Sequence, residues 1–263
     1  MVIGAKAGIA FLGAGTLALA AASAVQAAPI YSQTFSSTAT GVLTGTSPTT
    51  DTGGATWQLA GNAGSDWTAS GGAPTVTGAL SPAAEYLPLT VSSGNIYTLT
   101  VTDLAPVAGT TTNWLAVGFF NSTSNEILST ASQGPWMLLR DTGYIQAFAG
   151  PGGLGNGQSF NGDNGANAGY GPVSLGGTAK VVLNTEAAAW TASWYYNGTQ
   201  LGTTYTYTAN PTNSLGAGFL TFQNVSGSVR SINVTDATPE PAALSLIGLS
   251  AGGLLLMKRR RAS

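Results

Sequence analysis

Between Ile30 and Thr235 the apolar residues recur with a period of two in short runs broken by Gly, Asn, Asp and Pro, and no segment carries a helical period. That pattern predicts an all-β chain, an antiparallel sandwich or barrel with one face of each strand toward a core. In YTLTVTDL (97–104), Tyr97, Leu99 and Val101 alternate with Thr98, Thr100 and Thr102, which predicts a strand with one buried and one solvated face. PWMLLRDTGYIQAFAG (135–150) reads as a hairpin closed by Asp141-Thr142-Gly143, whose glycine takes the left-handed conformation. AWTASWYYNGTQLGTTYTY (189–207) reads as a second hairpin, because Asn197-Gly198 is the favoured pair for a type I′ turn. Trp190, Ala192, Trp194 and Tyr196 share one of its faces, and small polar neighbours mark that face as inward. GAGFLTFQNVSGSVRSINVT (216–235) supplies two closing strands. The Gly- and Asn-rich stretch 150–177 is too long for an ordinary connection and is expected to be a loop.

Composition narrows the function. Charged residues make up 7% of the chain, yet aromatic and β-branched residues suffice for a core, so the middle is a globular domain. Outside the two ends, three cations (Arg140, Lys180, Arg230) face nine acids, a balance of −6. Such a surface does not neutralise a phosphate backbone, and nucleic acid is excluded as a partner. The chain has no cysteine and no histidine, which removes disulfides, thiolate nucleophiles, the usual zinc ligands and any Ser-His-Asp arrangement.

Each end carries its own signal. Lys6, the apolar run 7–22 and the small residues that follow read as a secretory signal peptide, 1–27, cut after Ala27. Val25 and Ala27 fill the small-residue positions of that cleavage site, and Ala22 with Ala24 offers an alternative three residues earlier. The folded domain then spans 28–237. At the other end, Pro239-Glu240-Pro241 precedes the apolar run AALSLIGLSAGGLLLM (242–257) and the cluster Lys258-Arg259-Arg260-Arg261. The prolines interrupt regular structure and leave an extended, protease-accessible peptide. As a helix, the 16 apolar residues span about 24 Å, enough for a membrane crossing with snorkelling basic residues. The basic cluster stops transfer and stays on the cytoplasmic side.

The order PEP, short apolar helix, Arg-rich terminus resembles the PEP-CTERM sorting domain of exported bacterial proteins over 238–263. The resemblance implies processing by an exosortase near Pro239, Glu240 and Pro241, and delivery to the cell surface or extracellular matrix in systems that make exopolysaccharide. A plain C-terminal membrane anchor is the alternative. The run Lys180-Val181-Val182-Leu183, the Trp190 and Trp194 stripe and the Asn197-Gly198 turn are similar to the central part of concanavalin-like jelly rolls of the laminin-G and legume-lectin group. That implies a jelly-roll sandwich and, through it, three functions: a structural or adhesive matrix protein, a lectin-like carbohydrate-binding module, or a glycoside hydrolase.

Hydrolysis needs two carboxylates in register, and the isolated acids Asp51, Asp66, Glu85, Asp103, Glu126, Asp141, Asp163 and Glu186 include no Glu-x-Asp-x-x-Glu run. No catalytic residue is assigned and the chain is expected not to be an enzyme. Asn161, Asp163, Asn164 and Asn167 are oxygen-bearing candidates for calcium in the long loop. GGLGNGQSF (152–160) resembles one calcium-binding nonapeptide repeat, with Gly157 where an aspartate ligand belongs. No cofactor is otherwise expected. Sugar binding draws on exposed aromatic rings, and of the six tryptophans, Trp57, Trp67, Trp114, Trp136, Trp190 and Trp194, the one beside Asp66 is the expected surface candidate. Trp67 and Tyr170 are thus the predicted glycan contacts. Asn121, Asn197, Asn224 and Asn233 match N-x-S/T and read as turn and strand residues.

Overall fold

The computed structural model describes residues 27–35, 41–52, 54–60, 67–70, 73–75, 83–106, 114–121, 134–150, 170–222 and 227–237. In chain order the strands are β1 (Ala28–Thr34), β2 (Gly41–Val42), β3 (Thr50–Asp51), β4 (Gln58–Ala60), β5 (Thr68–Ser70), β6 (Ala73–Thr75), β7 (Ala83–Thr90), β8 (Ile96–Pro106) and β9 (Trp114–Asn121). They continue with β10 (Trp136–Arg140), β11 (Ile145–Phe148), β12 (Gly177–Asn184), β13 (Thr191–Tyr196), β14 (Thr199–Thr206), β15 (Ser214–Phe222), β16 (Gly227–Ser228) and β17 (Ser231–Ala237). Two sheets hold them. One branches at β8, from which β12-β13-β14 run one way and both β17-β1-β3 and β16-β6-β5-β2 the other; the second has the order β11-β10-β9-β15-β7-β4. Antiparallel pairing of strands distant in sequence, such as β1 with β17 and β15 with both β7 and β9, is the connectivity of a jelly-roll sandwich.

The predicted alternation is realised in the branched sheet. Tyr97, Leu99 and Val101 of β8 are buried while Thr98 and Thr100 are half-buried, and β12 and β13 repeat the pattern with Val181, Leu183, Ala192 and Trp194 inward. The second predicted hairpin forms as β13 and β14, with Asn197 at φ 48° and Gly198 at φ 81°, the two positive values a type I′ turn requires. Trp190, Ala192, Trp194 and Tyr196 are all buried.

One irregularity changes the predicted ending. The β8 alternation breaks at Thr102 and Asp103, where Asp103 takes φ 56° and the register against β12 slips between Gly177 and Ala179. This bulge bends the strand and restores inward packing at Leu104 and Pro106. It also divides the neighbouring ladder, so that β17 pairs with β8 up to Thr102 while β16 pairs beyond it at Ala105 and Pro106. Residues 216–235 therefore contain three strands, not the two expected.

The six-stranded sheet departs from alternation altogether. Every residue of β10 and β11 is buried. Leu87, Leu115, Val117, Phe119, Met137, Leu139, Ala217 and Phe219 face the branched sheet and form the main core with Leu99, Val181, Trp194 and Ile232. The intervening residues Ala84, Tyr86, Trp114, Ala116, Phe120, Trp136, Leu138 and Phe148 form a second apolar cluster on the other face. Strands apolar on both faces read as continuous runs, as in WLAVGFF and WMLL.

β1 starts directly after Ala27. The rest of the predicted signal peptide, the sorting motif Pro239, Glu240 and Pro241, the membrane span 242–257 and the basic cluster 258–261 lie outside the described residues. Among the described residues no helix is long and apolar enough to cross a membrane.

Candidate functional site

The outward cluster is built by register. Gly118 of β9 stands directly opposite Gly218 of β15, Gly218 opposite Tyr86 of β7, Gly118 opposite Trp136 of β10, and Trp136 opposite Phe148 of β11. Gln58 of β4 completes the row beside Tyr86. With strands about 4.8 Å apart, three spacings put the Tyr86 and Trp136 backbones about 14 Å from one another across the glycine pair.

The glycines are required by close approach. A Cβ on Gly118 would sit 2.3 Å from Trp136 Cβ and 2.5 Å from its Cα, and one on Gly216 would sit 2.4 Å from the Tyr86 ring. A Cβ on Gly218 would lie 2.0 Å from the Glu85 carbonyl oxygen. Removing these side chains lets two aromatic residues approach the sheet. Trp136 and Phe148 stack at 4.0 Å with ring planes 11° apart, and Trp114 lies 6.2 Å from Trp136 at a tilt of 33°.

Polar groups are set at both sides of this aromatic cluster. The Tyr86 hydroxyl donates to Gln58 Oε1 at 2.8 Å, and burial pushes its pKa up, which keeps it a donor. Arg140 follows Leu138 on β10, directly opposite Trp114 on β9, and its Nη2 donates to Gln146 Oε1 at 2.7 Å. Arg140 is 3% exposed; burial lowers the pKa of its guanidinium and the neighbouring Asp141 partly offsets that effect. Among the described residues, Arg140 Nε has no hydrogen-bond partner. The strand positions of this face carry rings, amides and one guanidinium, and among the described residues no carboxylate: Glu85, one position from Tyr86, points to the opposite side and accepts from Thr44 Oγ1 at 2.7 Å.

Trp67 and Tyr170, the predicted glycan contacts, both pack against the main core. Trp67 is fully buried, 4.2 Å from the Phe219 ring in the main core, so the expected surface tryptophan is a core residue. Its polar neighbours in sequence misled, because a single position beside a loop carries no periodicity. Tyr170 is half-buried against the main core and pairs its backbone with Ile145 through two hydrogen bonds of 2.8 Å, so it does not join the aromatic cluster. The calcium candidates Asn161, Asp163 and Asn164, with Asn167, lie outside the described residues. Among the described residues no three His, Cys, Asp or Glu side chains gather as a metal site. Sequence reasoning missed Tyr86, Arg140, Gln146 and Phe148. Their signal was the absence of alternation in 114–120 and 135–140, which marks strands with two apolar faces.

No protein-family model matches the chain, and no curated protein matches it in sequence. Solved structures do. The carbohydrate recognition domain of Emp47p superposes with a TM-score of 0.54 at 13% identity, covering 82% of this chain and 99% of that one. An endo-1,3-β-glucanase from Streptomyces sioyaensis gives 0.47 at 11% identity, over 81% of this chain and 99% of that one. The exoplasmic/lumenal domain of VIP36, in its Ca2+/Man-bound form, gives 0.47 at 7% identity, over 81% of this chain and 92% of that one. At these identities the first likeness concerns the fold: the chain is an all-β antiparallel sandwich whose structural neighbours are lectin-like jelly rolls.

Proposed function

We propose that the chain is an exported, lectin-like carbohydrate-binding protein whose ligand rests on the outer face of the six-stranded sheet. The observation that carries the reading is the arrangement on that face: Tyr86, Trp114, Trp136 and Phe148 together with the amides of Gln58 and Gln146 and the Arg140 guanidinium. Aromatic rings cover the apolar faces of sugar rings, while amide and guanidinium groups satisfy the hydroxyls around them. Binding without hydrolysis is part of the proposal. It is supported by the absence of a Glu-x-Asp-x-x-Glu run and by a face built from amides where a hydrolase needs paired carboxylates.

Delivery belongs to the same proposal. The stretch 1–27 directs export, 242–257 holds the chain in the membrane, and processing by an exosortase at Pro239, Glu240 and Pro241 releases it to the cell surface or matrix, where exopolysaccharide is the ligand at hand. The order of those segments in the sequence supports this. Calcium enters no step.

The full-length protein on a glycan array tests the reading, with Trp136→Ala beside it. Saccharide binding that is lost in the variant while its melting temperature stays above the assay temperature is the expected result; no binding to any glycan refutes it. The burial of Trp114, Trp136 and Phe148 favours a second reading, in which the face is a packing layer and the protein a structural or adhesive matrix element. On that reading Trp136→Ala lowers stability and the array stays blank.

A further inference from the structure

The two ends of the folded domain meet at one corner of the branched sheet. β1 and β17 run antiparallel side by side, and their register sets Ala28, the first residue of β1, opposite Asp236, one residue from the end of β17. Pro29 stands opposite Thr235 in the same ladder. On its other side β17 stays paired to its last residue, Asp236 with Tyr97 and Ala237 with Ile96 of β8. The end of β17 is thus held between two strands, with Ala28 one strand spacing, about 5 Å, from Asp236.

Both predicted processing points adjoin this corner in sequence. The signal cut falls between Ala27 and Ala28, and Pro239 follows Ala237 by two residues, which covalent geometry limits to a reach of about 7 Å. The apolar run 242–257 begins five residues after Ala237 and the run 7–22 ends six residues before Ala28, so each is tethered to the corner by at most roughly 22 Å of chain. Before either cut, the chain entering β1 and the chain leaving β17 pass the same end of the sheet on their way to the same membrane. β17 does not readily give way, because Ile232 and Val234 are fully buried in the core and its ladder runs to Ala237. Cutting a peptide requires an enzyme to surround the backbone on both sides of the bond, and between the paired strand and Pro239 stands a single residue, Thr238.

We infer that removal of 1–27 licenses removal of the tail: while the signal segment is attached, it occupies the space beside β17 in which the Pro239-Glu240-Pro241 motif must be engaged. The inference rests on the proposal that an exosortase processes this motif, and adds a condition on that step. Synthesis from the N-terminus presents the signal first in any case; the geometry of β1 and β17 makes the second cut depend on the first. The consequence is functional, since a tail cut then releases a domain that no other segment still holds to the membrane.

The test follows intact mass over time in the full-length protein made in a host that carries an exosortase, since mass reports the loss of 1–27 and of 258–263 independently. The parent is compared with a variant carrying Ala24→Phe and Ala27→Phe, which puts a large residue at the last position of both predicted signal-cleavage sites. A third protein is that variant with about ten Gly/Ser residues inserted after Ala237, which add roughly 17 Å of flexible reach. All changes lie outside β1 and β17. In the parent, a species lacking 1–27 alone precedes the species lacking both segments. In the double variant, loss of 258–263 slows by roughly 10- to 100-fold, the scale on which misplacing a reacting group lowers a rate. The spacer restores that loss although 1–27 stays attached. Loss of 258–263 at the parent rate from chains that keep 1–27 overturns the inference. So does a spacer that restores nothing, since the retained signal then acts by something other than its place beside β17. A parent that keeps 258–263 throughout overturns the exosortase reading itself.

Discussion

Gly118→Ala is a small substitution with a large expected effect. The added Cβ would lie 2.3 Å from Trp136 Cβ, 2.5 Å from Trp136 Cα and 2.7 Å from the Pro135 carbonyl oxygen. None of these atoms moves by a side-chain rotation, so β9 and β10 must separate by more than an ångström at their centre. Overpacking of this kind costs up to about 3 kcal/mol. For a domain of this size each kcal/mol lowers the melting temperature by about 2–4 °C, which gives a drop of roughly 6–12 °C. Gly198→Ala provides the comparison: its φ of 81° strains an alanine, but nothing lies within 4 Å of the new Cβ. That change costs about 1 kcal/mol, or roughly 2–4 °C. Thermal melts followed by near-ultraviolet circular dichroism read both quantities, because the Trp136 and Phe148 rings stack at 4.0 Å and lose their signal as the strands part. A Gly118→Ala protein that melts at or above Gly198→Ala would refute the close approach on which the aromatic face is built.

Tyr207 is buried with no hydrogen-bond partner for its hydroxyl among the described residues, and burial raises its pKa well above 10.0. A raised folded-state pKa contributes stability that is present below the ordinary tyrosine value and lost as pH climbs above it. Tyr207→Phe is therefore expected to leave stability at pH 7 unchanged or higher and to flatten part of its alkaline decline; an unaltered decline in denaturant titrations from pH 9 to 11 would contradict this. Thr185 is fully buried, and its hydroxyl donates to the Ser92 carbonyl at 2.6 Å and accepts from the Asn95 N–H at 3.1 Å, tying the turn before β8 to the end of β12. Thr185→Val strands these groups and should cost about 1–3 kcal/mol in urea denaturation; a loss under 0.5 kcal/mol would show that the bridge is dispensable. For the tail, intact mass of the protein isolated from the cell surface is expected to lack 258–263, and a mass that retains them refutes processing at the Pro-Glu-Pro motif.

How far the sequence could be read follows from what each strand faces. β8, β12 and β13 have solvent on one side, and their threonines and serines exposed the alternation that revealed the fold class and the inward Trp190 and Trp194. The turn at Asn197-Gly198 was legible because its two positive φ values demand those residue types. The bulge at Asp103 was not, since an aspartate in a strand pattern looks like another outward polar residue until its partner strand slips against it. The outer face of the six-stranded sheet was hidden for a different reason. Tyr86, Trp114 and Trp136 occupy a second apolar layer, and in the run WMLL a residue of the core and a residue of the opposite face are chemically alike. Only the cross-strand register separates them. Arg140 closes that run, and together with Gln146 on the neighbouring strand it marks the outward face with polar positions.

The central claim is that sugar occupies the face carrying Tyr86, Gly218, Gly118 and Trp136. The most direct measurement is a crystal structure of the full-length protein with a bound oligosaccharide. The account predicts a sugar ring over the glycine pair, within stacking distance of Trp136 or Trp114 and with its polar groups toward Arg140, Gln146 or Gln58. A saccharide seated on the branched sheet, or at the loop ends with this aromatic face unchanged, would contradict it.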